Sequence, residues 1–128
     1  MSNQNVEVTK RGYDAFGAGD LEAALGVFDD SIEWTVNGES MIGGTHRGKG
    51  EITELLMLLA KKSATVKAKR YLADGDIVVV LTEVTVGGET YQEADVYTFG
   101  NDKVVKADTF GDTAMQERIF GTKRVAAG

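Results

Sequence analysis

From residue 64 onward the chain is one repeated pattern: a run of alternating or apolar residues, then a short turn rich in glycine, asparagine or aspartate. Ala64–Ala73 leads to Asp74-Gly75-Asp76, Ile77–Val86 to Gly87-Gly88, and Thr90–Phe99 to Gly100-Asn101-Asp102; Lys103–Phe110 is the last clear strand. Connections this short join only antiparallel neighbours, so the segment is predicted to be a meander. The chain has no proline and 16 glycines, so Gly, Asn and Asp carry the turns. Such a sheet has an apolar face that something must cover, and the first half of the chain supplies it.

That first half reads as helices with one early strand. Val6–Ala18 is a predicted helix with Val6, Tyr13 and Phe16 on one face. Gly19 closes it and Asp20 caps the next. The second helix is predicted to reach Phe28, since Leu21, Ala24, Leu25 and Phe28 follow i, i+3, i+4, i+7 spacing, and Asp29-Asp30 end it. Ser31–Val36 alternates as a strand, with Ile32, Trp34 and Val36 on one side, and Asn37-Gly38 is a turn. Glu51–Lys62 is a third helix, striped by Ile52, Leu55, Leu56 and Leu59. The tail after Ile119 is expected to be loose. The order predicts one α+β domain over residues 1–128, with a pocket between helices and curved sheet.

Charge and residue usage narrow the function. Net charge is −6 and the isoelectric point about 4.8, which argues against nucleic-acid and anionic-membrane partners. There is no cysteine and one histidine, which excludes thiolate chemistry and multi-histidine metal centres. No cofactor or metal is expected. The first residues lack a signal-peptide core, so a cytoplasmic location is expected. His46, in Gly43-Gly-Thr-His-Arg-Gly48, reads as a hydrogen-bonded loop residue before it reads as a base. The loop is no phosphate cradle, because Gly50 stands where a Ser or Thr would hold magnesium.

Several segments carry a resemblance. Tyr13 to Trp34, YDAFGAGDLEAALGVFDDSIEW, joins helix, Gly19-Asp20, helix, acidic pair and a strand bearing Glu33-Trp34. Gly44-Thr-His-Arg-Gly48, Ala73-Asp-Gly-Asp-Ile-Val-Val-Val80 and Lys103-Val-Val-Lys-Ala-Asp-Thr-Phe110 follow in order. Together they resemble the SnoaL-like and ketosteroid-isomerase-related proteins of the NTF2-like superfamily. The resemblance implies a cone of three N-terminal helices packed on a curved mixed, mainly antiparallel sheet. It also implies a homodimer through the sheet.

The residues of interest lie on the strands. In Glu93-Ala-Asp-Val-Tyr-Thr-Phe99, alternation places Glu93, Asp95, Tyr97 and Phe99 on one face. By the resemblance, Asp95 matches the protonated oxyanion-binding Asp of the ketosteroid isomerases. Asp108 matches the water-activating carboxylate of the limonene-epoxide-hydrolase branch. Two departures stand out: Glu93 occupies the position of that branch's Arg, and Trp34 that of the isomerase base. Asp95 and Asp108 are therefore the expected catalytic pair, and Tyr13, Phe16, Trp34, Glu93, Tyr97 and Phe110 are expected to bind substrate. The implied function is a pocket for a small hydrophobic molecule. It belongs to an acid–base enzyme of isomerase, cyclase or hydratase/hydrolase type, or to a non-catalytic ligand-binding or dimeric interaction module. The sequence leaves both open.

Overall fold

A computed structural model describes residues 2–123. In chain order the elements are helices α1 (Ser2–Gly17) and α2 (Leu21–Leu25), strands β1 (Phe28–Val36) and β2 (Gly44–Arg47), and helix α3 (Gly48–Lys61). Strands β3 (Thr65–Asp74), β4 (Ile77–Val86), β5 (Glu89–Gly100) and β6 (Lys103–Gly111) follow, then helix α4 (Thr113–Phe120). The strands form one sheet in the order β2-β1-β6-β5-β4-β3. All neighbours are antiparallel except β1 and β6, which run parallel. This is the mixed, mainly antiparallel α+β architecture the sequence predicts.

The meander forms because its turns suit left-handed backbone. Asn101 and Asp102 both have positive φ, 54° and 67°, the conformation a two-residue hairpin turn requires and that Asn and Asp tolerate. Register shifts interrupt the ladders between Ala68 and Arg70 on β3 and between the pairs Thr98/Lys106 and Phe99/Val104 on β5–β6. Such bulges bend and twist the sheet, and its inner face wraps the helices. Ile32, Val78, Val80 and Val104 on that face are at most 2% exposed and share one core with Ile52, Leu55 and Leu56 of α3.

Three local expectations change. Helix α2 stops at Leu25, although Asp20 does cap it by accepting from the Ala23 amide at 3.0 Å. Gly26 is a poor helix former, and Phe28 opens β1, where it shares the buried face of Ile32, Trp34 and Val36. Gly44–Arg47 is an edge strand, not only a loop, pairing Thr45 with Thr35. After β6 the chain forms α4, capped by Asp112, which accepts from the Met115 amide at 3.0 Å. Ile119 and Phe120 are helical and Phe120 is buried. The rest of the expected loose tail, residues 124–128, lies outside the described residues.

Candidate functional site

Asp95 sits in the middle of β5, between Val80 on β4 and Thr109 on β6. Its side chain points to the inner face and is 3% exposed. There it meets a cavity between sheet and helices, with about 640 Å³ of empty space counting its open mouth. Helix α1 contributes Thr9, Gly12, Tyr13 and Phe16 to the wall, and the sheet contributes Phe28, Trp34, Glu93, Tyr97 and Val104. The lining is apolar apart from the carboxyls, hydroxyls and indole that converge on Asp95.

Every oxygen of Asp95 has a donor. The Tyr13 hydroxyl donates to Oδ2 at 2.5 Å, and the Thr109 hydroxyl donates to Oδ1 at 2.8 Å. Behind Thr109, the Trp34 indole N–H donates to its Oγ1 at 2.8 Å. An indole nitrogen only donates, so it leaves the Thr109 proton free to point at Asp95. Behind Tyr13, the Tyr97 hydroxyl lies 2.8 Å away, and it also reaches Oδ2 at 3.4 Å. With Tyr13 donating to Asp95, Tyr97 donates to Tyr13. Two short relays thus end on one carboxyl group. The rings support them: Trp34 and Tyr13 each meet Tyr97 edge-on, with centroids 6.2 and 6.1 Å apart.

Glu93 stands two residues earlier on the same face and its carboxyl shares a hydrogen bond with Asp95. Across the ladder it faces Gly111, where a side chain would press against Glu93 Oε1 and the Gln116 amide. Burial raises the proton affinity of both carboxyls, and for Glu93 the Asp95 charge raises it further. Hydrogen bonds from Tyr13, Glu93, Thr109 and Tyr97 pull Asp95 back toward ionisation. Donors to a carboxylate stabilise its charge, so these hydrogen bonds favour Asp95 over Glu93 as the member of the pair that ionises first. Burial raises Tyr13 and Tyr97 well above an ordinary phenol, so both keep their protons at neutral pH. The cluster therefore offers two buried carboxyls of unequal proton affinity beside protonated phenols.

Tyr13, Phe16, Trp34, Glu93, Asp95 and Tyr97 come together at the cavity, but Asp108 and Phe110 do not. Asp108 faces Val96 across the ladder, on the outer face, with Lys106 Nζ 3.9 Å from its carboxylate. Phe110 is on that face too and is 54% exposed. The partner of Asp95 is Glu93, and the β6 group that touches it is Thr109, which the sequence reading missed. His46 Nε2 donates to the Ile42 carbonyl at 2.8 Å, away from the cavity. Among the described residues no three His, Asp or Glu side chains gather into a metal-binding group.

Residues 9–107 match the SnoaL-like domain. The chain belongs to the SnoaL-like family. No curated protein matches it. Its fold is shared with Bal32a from a soil-derived mobile gene cassette, at 24% identity over 93% of this chain and 98% of that one, TM-score 0.86. An NTF2-like protein from Burkholderia xenovorans LB400 is 27% identical over 94% and 98% of the two chains, TM-score 0.75. TerC, co-crystallised with polyporic acid, is 23% identical over 93% and 99%, TM-score 0.80. The SnoaL-like match contains Tyr13, Trp34, Glu93, Asp95 and Tyr97 and ends two residues before Thr109.

Proposed function

We propose that this SnoaL-like protein is a cofactor-free acid–base enzyme, of isomerase, cyclase or hydratase/hydrolase type, acting on a small hydrophobic molecule in the cavity. The observation that carries the reading is Asp95: buried, at the wall of an apolar cavity, and held by Tyr13 at 2.5 Å and Thr109 at 2.8 Å. Asp95, oriented by Tyr13 and Thr109, removes a proton from the substrate, and Glu93 returns one. General acid–base groups so placed contribute about 10²–10⁴ in rate. Isomerases and cyclases are frequent in the family, and the co-crystallisation of TerC, which has the same fold, with polyporic acid supports a small-molecule pocket.

The test is deuterium wash-in from D₂O into a panel of small apolar ketones, followed by mass spectrometry. The native protein exchanges at least one ketone, and Asp95→Asn slows that exchange by about a hundredfold or more. Exchange that survives intact in Asp95→Asn removes Asp95 from the chemistry. Ligands that bind without any turnover favour the second reading, a binding module. The observation behind that reading is that Trp34, not a carboxylate, projects from β1 into the cavity. We further propose a homodimer through the outer sheet face and a cytoplasmic location. No helix among the described residues is long and apolar enough to cross a membrane.

A further inference from the structure

The cavity has a lopsided charge inventory. Its lining includes Glu93 and Asp95 but no Lys, Arg or His. Among the described residues neither carboxyl is joined to a basic side chain: Asp95 is held by hydroxyls and by Glu93. A charged carboxyl taken out of water is ordinarily matched by a cation, and none of the residues lining this cavity is one. The remaining wall joins aliphatic side chains to the rings of Phe16, Phe28, Trp34 and Tyr97. Ring faces attract a cation about as far as 6 Å from the centroid, and they exclude water, which strengthens the attraction.

We propose that the cavity selects a small apolar amine, its ammonium seated between the Glu93 and Asp95 carboxyls and its hydrocarbon body against Trp34, Tyr97 and Phe16. This rests on the pocket reading above and deepens it by naming the class of ligand. An ammonium has three donors and no acceptor, so one head can reach both carboxyls, which stand on the same face of β5 two residues apart. A neutral alcohol of the same shape fills the apolar part and gains one hydrogen bond. A carboxylate brings further negative charge to a site whose lining has no cation to receive it. The protein's net charge of −6 adds to the bias, since it attracts cations and repels anions at long range.

Trp34 is the only tryptophan and lines the cavity, so its fluorescence reports occupancy of this site and not of acidic surface patches. The experiment titrates the native protein at neutral pH and physiological salt with three probes of one skeleton: cyclohexylmethylamine, cyclohexylmethanol and cyclohexanecarboxylate. The amine is expected to bind at least about tenfold more tightly than the alcohol, with the carboxylate weakest. In Glu93→Gln the amine-to-alcohol ratio narrows. Equal or tighter binding of the alcohol overturns the amine selectivity while leaving the pocket reading intact. An unchanged ratio in Glu93→Gln overturns the assigned seat of the ammonium. If none of the three probes alters Trp34 emission at millimolar concentration, the pocket reading falls and the amine falls with it.

Discussion

At the scale of single residues, the buried carboxyl pair links folding to pH. Burial raises Glu93 and Asp95 above ordinary carboxylates, so the folded protein keeps a proton that the unfolded chain releases. Above roughly pH 4.3, where a free glutamate ionises, the unfolded state binds fewer protons than the folded one, and stability falls as pH rises. The slope is bounded by about 1.4 kcal/mol per pH unit for one retained proton. Urea unfolding between pH 5 and 9 should show this decline, and Glu93→Gln, which carries no titrating proton, should flatten it. Tyr13→Phe should act on the other side of the pair. It removes the 2.5 Å donor to Asp95 and leaves Oδ2 with Tyr97 at 3.4 Å, a loss of about 1–3 kcal/mol readable in the urea midpoint at neutral pH. The membership of this cluster was largely legible beforehand. Glu93, Asp95 and Tyr97 share a face by alternation alone, and Tyr13 and Phe16 share the apolar face of a helix. The hydrogen-bond order within the cluster was not, because it depends on how α1 lies across the sheet.

At the scale of elements, one residue in β6 decides which side chains see the site. Near the turn, Phe99 pairs with Val104; continued unbroken, that register would set Asp95 opposite Asp108. The ladder instead slips by one beyond Thr98, which pairs with Lys106, and Asp95 meets Thr109. A one-residue slip sends every later side chain to the other face, so Asp108 and Phe110 turn outward and Ala107 and Thr109 turn in. The slip also keeps a third carboxyl away from Glu93 and Asp95. Substitutions should expose the difference. Asp108→Asn touches only a half-exposed pair with Lys106 at 3.9 Å and should change stability by less than about 1 kcal/mol. Thr109→Val removes the link between Trp34 and Asp95 and should cost about 1–3 kcal/mol. Chemical denaturation of both variants compares them directly. Helix α4 was missed for a different reason: with eight residues its period is too short to stand out. Its start is nonetheless chemically defined by Asp112, and Asp112→Ala should cost about 1 kcal/mol by thermal unfolding.

At the scale of the whole molecule, the same β6 slip builds the surface opposite the cavity. Leu81, Ala94 and Phe110 line up across β4, β5 and β6, with Leu81 37% and Phe110 54% exposed and Leu72 nearby at 43%. This row is the surface on which the proposed two-fold dimer would rest. Phe110→Glu should therefore convert a dimer to a monomer in sedimentation or light scattering at micromolar concentration. A monomeric native protein would remove the dimer from the proposal. The sequence by itself determined the α+β class, the meander, the cap at Asp20 and the faces of β1 and β5, because these depend on local periodicity and turn chemistry. Only the tertiary structure decided the parallel pairing of β1 with β6, the edge strand β2 and the exchange of Asp108 for Thr109 at the site. Those depend on contacts between residues far apart in the chain, and on a bulge whose cost or benefit no local window of sequence contains.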